Sequence, residues 1–170
     1  MRIWIIWLLG ISALASGQGN GSDHAGRARN TVQLSYGGAG VHFSIICERL
    51  LVSRPAWNVG VKTGLGTSIS PALSPPEFTV PLGGYILYGK GNSKLDMGLS
   101  LTGYLMWQYA HEMERRFMEF QPLIIPSLAY RYQKNEGGFM FRAGLSSILH
   151  INGISATFAP WVDLGVGYAF

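Results

Sequence analysis

The feature that most constrains this chain is a repeated alternation of apolar side chains with polar or very small ones. The alternation is clearest in WNVGVKTGLGTS (57–68), LDMGLSLTGYLMWQ (95–108) and GFMFRAGLSSILH (138–150). Successive side chains of a β-strand point to opposite faces, so each segment predicts a strand with one apolar wall and one polar or small wall. A chain built from such segments is all-β.

Composition indicates where the apolar walls lie. The chain has 170 residues, which predicts a single domain. Charged residues make up only 13% of it, against about 25% in a typical soluble domain, and 23 residues are glycine. Mean hydropathy is +0.19, yet no apolar run beyond the N-terminus approaches the roughly 20 residues of a membrane helix. Apolar surface spread over many short strands is typical of a β-barrel in lipid.

The N-terminus predicts export. Arg2 precedes an apolar run from Ile3 to Ile11, and Ala13-Leu14-Ala15 fits a signal-peptidase site. A membrane anchor helix is the alternative, but the run is too short for one. We therefore expect a signal peptide at 1–15, cleaved near Ala15, and a flexible leader at 16–30.

Charge and cysteine content exclude two further classes. The net charge of +4 falls to about +3 without Arg2 and is scattered, so nucleic-acid binding is not indicated. The single cysteine, Cys47, excludes an internal disulfide and is best interpreted as a small apolar residue on a strand.

Short and long connections alternate along the chain. Residues 53–56, 89–93 and 133–138 have the composition of tight hairpins, whereas 68–77, 109–119 and 150–156 are longer or less regular. The segment Thr31–Leu51 has twice the length of a strand, and Gly37–Gly40 divides it or forms a kink. The remaining strands are predicted at 57–68, 77–88, 94–108, 120–133, 138–150 and 159–170. Residues 31–170 therefore predict a closed antiparallel up-and-down transmembrane barrel of about eight strands.

Small residues on the polar walls favour a barrel with its apolar walls outward, because glycine in a narrow lumen leaves room for larger partners. Charges on these walls balance, which predicts a polar lumen network and a filled lumen rather than an open pore. The members are Glu48, Lys62, Asp96, Arg131, Arg142 and Asp163, joined by Asn58, Tyr85, Ser100 and Tyr104. The alternative is a soluble sheet with solvated charges.

Aromatic residues lie near the predicted strand ends, where the interfacial girdles of a membrane barrel belong. They are Trp57, Tyr88, Trp107, Tyr130, Tyr132, Phe139, Tyr168 and Phe170.

The final strand resembles the C-terminal signature of Gram-negative outer-membrane barrels, which has a terminal Phe, a Tyr two residues earlier and apolar residues at alternate positions. The matching residues are Val162, Leu164, Val166, Tyr168 and Phe170. The resemblance implies that they form an assembly signal for the barrel-assembly machinery.

Most of residues 31–170 is similar to a largely uncharacterised family of small exported barrels, of the size of OmpA and OmpX. Its members carry Gly-Gly-x-Gly and then Ser-x-Asn-Tyr-Glu-Arg. This chain has Gly37-Gly38-Ala39-Gly40, then Ser44, Glu48 and Arg49, with Ile46 and Cys47 in place of Asn and Tyr. The resemblance implies the fold and the outer membrane but no activity.

Few residues suggest chemistry. His42 and Ser44, with Glu48 further along the strand, resemble the site of outer-membrane lipid A deacylases, but their spacing favours a lumen cluster over catalysis. His24, His111 and His150 have no metal-ligand spacing, so no metal or cofactor is predicted. The charged segment 111–120 predicts an external loop, in which Arg115 and Arg116 either contact lipopolysaccharide phosphates or are solvated.

The sequence thus predicts a non-enzymatic outer-membrane barrel with a structural or surface-contact role. A lipid-modifying hydrolase using His42 and Ser44, and a soluble lipocalin-like ligand binder, are the alternatives.

Overall fold

The computed structural model describes residues 27–68, 77–110, 115–152 and 155–170. The predicted signal peptide and most of the predicted leader lie outside these residues. Within them, the chain forms eight strands and one short 3-10 turn: β1 (Asn30–Gly37), η1 (Gly38–Gly40), β2 (Phe43–Ser53), β3 (Trp57–Ser68), β4 (Glu77–Tyr88), β5 (Ser93–Ala110), β6 (Arg115–Gln133), β7 (Gly138–Asn152) and β8 (Ser155–Ala169).

Each strand pairs antiparallel with the next, and β1 pairs with β8, so the sheet is a closed up-and-down barrel. Val32 lies opposite Cys47 on one side and Tyr168 on the other, which gives β1 two partners. The predicted fold class is confirmed, and Gly37–Gly40 divides two strands as the first of the two interpretations expected.

The strands differ in length around the barrel. β1 has 8 residues and β2, β3 and β4 have 11 or 12, whereas β5 has 18 and β6 has 19. β5 pairs with β6 up to the pair Ala110 and Arg115. The prediction of a loop across 109–119 was therefore wrong, because both flanks of this segment continue the hairpin as strands. Likewise, β7 reaches Asn152 and β8 begins at Ser155, so most of the predicted connection 150–156 is strand.

The three tight turns lie at one end of the barrel, which we call the turn end; the opposite end is the loop end. They occupy residues 54–56, 89–92 and 134–137. Phe170 lies at the turn end, where its carbonyl accepts hydrogen bonds from the backbone of Arg29 and Asn30 at 3.1 and 2.9 Å. The backbone N–H of Ala28 donates to the carbonyl of Asn135 at 2.9 Å. Residues 27–30, expected in the flexible leader, are thus bound to the barrel.

None of the described residues belongs to a helix that is long and apolar enough to cross a membrane.

Candidate functional site: an apolar outer wall around an ionic lumen

The outer wall of the barrel is apolar along its whole circumference. Alternate residues of every strand leave large apolar side chains exposed, whereas their neighbours on the inner face are buried. On β4, for example, Leu82 and Ile86 are exposed while Tyr85 and Leu87 are buried. A soluble protein rarely exposes more than a few hundred Å² of continuous apolar surface. The lipocalin-like alternative needs the opposite arrangement, with apolar residues inside.

Aromatic side chains bound this wall at both ends. Phe78 and Tyr88 are exposed at the two ends of β4, and Phe120 and Tyr130 are similarly exposed on β6. Each pair is ten residues apart, which is about 33 Å along a strand. At the usual strand tilt of about 40°, the height between the aromatic levels is about 25 Å, the height of the apolar band of outer-membrane barrels.

The five residues of the C-terminal signature are all exposed on the outer face of β8 and just beyond it. They are Val162, Leu164, Val166, Tyr168 and Phe170. Their strand also closes the barrel by pairing with β1. The strand that carries these residues is therefore one of the two that close the barrel.

Inside the barrel, charged side chains form a continuous chain of ion pairs. Arg131 Nη2 lies 2.5 Å from Glu48 Oε2, and Arg131 Nη1 lies 3.2 Å from Asp96 Oδ2. The same carboxylate oxygen of Asp96 lies 3.0 Å from Arg142 Nε, and Arg142 Nη1 lies 2.5 Å from Asp163 Oδ2. All five side chains are buried, and Arg131 and Asp163 are fully so. The order along the chain of pairs is acid, base, acid, base, acid.

Lys62, the sixth predicted member, lies beside these pairs. It is buried on β3, and a Cβ built on Gly98 would lie 2.7 Å from its Nζ. Gly98 is two residues from Asp96 on the same face of β5, so the lysine occupies space that any larger residue at Gly98 would fill. Within the described residues, these three basic and three acidic side chains give the lumen network a net charge of zero.

Every strand supplies one polar group to this layer. Gln33 of β1 donates to Glu48 Oε1 at 2.9 Å, and the Tyr85 ring of β4 lies 5.5 Å from the Arg131 guanidinium carbon. The remaining strands contribute the six charged residues. Gln133 and Ser127 complete the arginine contacts, at 2.8 Å from Arg131 Nε and 3.1 Å from Arg142 Nη2.

Three residues expected to join the network do not lie in it. The Asn58 side chain binds Ser53 and the backbone N–H of Arg54 at the β2–β3 turn. Tyr104 donates to Glu77 near the loop end, and in the described part of the chain Ser100 Oγ has no hydrogen-bond partner. Sequence reasoning missed Gln33, although the alternation of β1, with Thr31, Gln33 and Ser35 on one face, could have identified it.

Two apolar layers lie above and below the ionic layer. Val41, Leu123, Ile125 and Ile148 form a buried cluster towards the loop end, and Leu50, Tyr85 and Leu87 form another towards the turn end. The inner walls, predicted to be polar or small, therefore also carry large apolar side chains. Lys94, buried towards the turn end, is held by the Gln133 carbonyl at 3.3 Å and Asn135 Oδ1 at 2.9 Å, since a buried charge without a hydrogen-bond partner would be costly.

The connection between β1 and β2 folds into the lumen. Each of the eight strands contacts η1, which places the turn near the barrel axis. Thr102 Oγ1 donates to the Ala39 carbonyl at 2.8 Å, and Thr79 Oγ1 donates to the Gly40 carbonyl at 2.9 Å. Gly38 has φ of 61°, and a Cβ there would lie 2.6 Å from Asp163 Oδ1, so only glycine fits. η1 thus covers the ionic layer from the loop end.

The residues of the hydrolase alternative do not form a catalytic arrangement. Among the described contacts, Ser44 Oγ is buried without a hydrogen-bond partner. The His42 ring instead packs perpendicular to the Trp161 ring, with ring centroids 5.4 Å apart, and Glu48 forms an ion pair with Arg131. A nucleophilic serine needs a base within hydrogen-bond reach.

Arg115 and Arg116 begin β6 at the loop end, and their side chains lie outside the described residues. In the part of the chain that the structure describes, no three His, Cys, Asp or Glu side chains are grouped as a metal site would require.

The fold resembles that of solved barrels. The N-terminal β-barrel domain of Pseudomonas aeruginosa OprF superposes with a TM-score of 0.63 and 12% identity, over 85% of this chain and 99% of that one. The Yersinia pestis outer membrane protein Ail, determined in a phospholipid bilayer nanodisc, gives a TM-score of 0.49 and 8% identity, over 84% of this chain and 99% of that one. No protein-family model and no curated protein matches the sequence.

Proposed function

We propose that this chain is an integral outer-membrane β-barrel with a non-enzymatic, structural or surface-contact role. The observation that carries the proposal is the exposed apolar wall between two aromatic levels about 25 Å apart. Exposing so large an apolar wall to water is unfavourable for a monomer, whereas the hydrocarbon core of a bilayer removes that wall from water.

The turn end faces the periplasm and the loop end faces outward in this proposal, because outer-membrane barrels have short periplasmic turns. The long β5–β6 hairpin then projects from the cell surface. Protease added to intact cells should cut near residues 111–114, between β5 and β6, and spare the turn at 134–137. Cleavage only after the outer membrane is permeabilised would contradict this orientation.

Membrane integration has a direct test. The protein should remain in the sarkosyl-insoluble envelope fraction and migrate faster on gels when unheated than when boiled. The control is a soluble periplasmic protein expressed in the same cells. Recovery of the chain in the soluble periplasm, without heat-modifiable migration, would reject the proposal.

We also propose that the lumen does not conduct ions. Arg131 and Asp163 are fully buried, and η1 lies over the ionic layer. In planar bilayers the purified protein should give no porin-type conductance steps, against a 16-stranded porin as the positive control. Regular steps in a preparation free of porin would contradict a filled lumen. Contact of Arg115 and Arg116 with lipopolysaccharide phosphates stays a prediction.

A further inference from the structure

Charges outside the lumen network are unevenly distributed between the two ends of the barrel. The described residues at the turn end include seven basic side chains and one acidic one, Glu136. The basic ones are Arg27, Arg29, Arg49, Arg54, Lys90, Lys94 and Lys134. At the loop end, the described positions balance: Glu77 and Glu119 against Arg115 and Arg116. The excess positive charge of the barrel thus lies at the turn end.

Four of these residues form what we call the basic rim: Arg29, Arg54, Lys90 and Lys134. They are spread around the barrel, because the β2–β3, β4–β5 and β6–β7 turns each contribute one and the region where β1 meets β8 contributes one. Arg54, Lys90 and Lys134 are exposed at the tips of their turns. Three basic residues are left out because they have partners within the protein. The Arg27 guanidinium binds the Asn135 side chain at 3.3 Å, and the buried Lys94 donates to the same side chain at 2.9 Å. Arg49 also has a partner within the protein.

The basic rim lies at the level of the aromatic girdle of the turn end. The backbone N–H of Arg54 donates to the Trp57 carbonyl at 2.9 Å, and Lys90 follows the exposed Tyr88 by two residues. The Arg29 N–H binds the carbonyl of Phe170, whose ring is exposed on the outer wall. Aromatic girdles lie at the headgroup level of a bilayer. Lysine and arginine stems lie along apolar surface and extend their charged heads into the headgroups.

We propose that the basic rim binds the phosphate headgroups of anionic glycerophospholipids in the leaflet at the turn end. The proposal rests on the membrane integration proposed above, which brings headgroups to this level. Phosphate is the complementary ligand for exposed arginine and lysine side chains. One basic side chain near an anionic bilayer favours binding by about fivefold, so several at one level give a clear lipid preference.

The test measures lipid preference in bilayers. The protein is reconstituted in phosphatidylcholine with spin-labelled phosphatidylglycerol or spin-labelled phosphatidylcholine, and the relative association constant is read from the immobilised fraction. The wild type should prefer phosphatidylglycerol, and about 0.5 M salt should reduce that preference because mobile ions screen exposed charges. In the variant Arg54→Gln/Lys90→Gln/Lys134→Gln, the association constant for phosphatidylglycerol should fall close to that for phosphatidylcholine.

The matched control removes basic residues from the other end. Arg115→Gln/Arg116→Gln should keep the preference; an equal loss in this variant would overturn the proposal, since any exposed arginine would then suffice. Heat-modifiable migration of each variant separates lipid binding from folding. A wild type that never enters the bilayer would overturn the proposed function itself. A wild type that inserts but shows no preference for phosphatidylglycerol would overturn only this proposal. The same holds if the basic rim residues are needed for binding to purified cell wall and not for the lipid preference.

Discussion

Replacing Arg131 by methionine tests whether the ionic layer determines the stability of the barrel. The guanidinium is fully buried and contacts both Glu48, at 2.5 Å, and Asp96, at 3.2 Å. In the variant, Asp96 keeps Arg142 at 3.0 Å. Glu48 keeps the Gln33 amide at 2.9 Å and Lys62 opposite it on β3, but loses its ion pair with Arg131. Removing one partner of a buried ion pair costs about 3–5 kcal/mol. We expect Arg131→Met to lower the free energy of unfolding by about that amount.

A second substitution separates charge from packing. Arg131→Met/Glu48→Gln removes both charges and restores the net charge of zero, and neutral replacements of whole buried pairs are often close to neutral in stability. The double variant should therefore recover at least about 2 kcal/mol relative to Arg131→Met alone. This recovery of stability would show that the two positions are coupled, because the effects of substitutions at independent sites simply add.

Equilibrium unfolding in urea, with the protein in lipid vesicles, measures both effects. Tryptophan fluorescence follows the transition, heat-modifiable migration reports the folded fraction, and unchanged slopes keep the comparison valid. Glu136→Gln is the control, because Glu136 is exposed in a turn outside the basic rim and its replacement should change stability by no more than about 0.5 kcal/mol. If the double variant is as unstable as the sum of its single variants, charge pairing is not what Arg131 provides, and our account of the lumen is refuted.

Three further predictions concern the wall, η1 and the terminus. Leu82→Arg, midway between the two aromatic levels, should lower the free energy of unfolding in vesicles by about 2–4 kcal/mol. In Phe78→Arg, at the interface, the added charge should lower the free energy of unfolding by about 1 kcal/mol or less. Equal losses in the two variants would mean that the bilayer does not lie between the aromatic levels. Thr102→Val should cost about 1 kcal/mol in the same assay by removing the hydrogen bond to Ala39, and wild-type stability would mean that η1 is held by packing alone. Phe170→Ala should reduce the heat-modifiable, membrane-inserted fraction in cells more than Phe139→Ala, an equally exposed aromatic at the same end; normal insertion would count against the terminal strand as an assembly signal.

The outer wall could be predicted from the sequence because it depends on local alternation. Leu95 and Asp96 differ in face because they are neighbours on one strand, whatever the rest of the fold does. The same reasoning placed Glu48, Arg131 and Asp163 on inner faces. It could not say which of them meet, because contacts across a lumen depend on the stagger of all eight strands.

The errors have a physical cause as well. HEMERRFMEF (111–120) lacks the alternation of apolar and polar residues that predicts a strand, so the sequence alone predicts a loop there. The pairing of Ala110 with Arg115 depends on the backbone ladder instead. Similarly, the glycine run at 37–40 predicted a break, but its inward fold depends on the space above Asp163, which only the closed barrel defines.

The ion pairs also bear on how the barrel forms. Glu48 and Arg131 are 83 residues apart and lie on β2 and β6, which are not neighbours in the sheet. In an open, partly paired sheet these two side chains would be far apart. Contacts of such long sequence separation form late in folding and slow it. The pairs of Arg131 with Asp96 and of Arg142 with Asp163 join neighbouring strands and can form early. The pair of Glu48 with Arg131 forms only when the sheet curls towards closure, so it stabilises the final step, in which β1 meets β8.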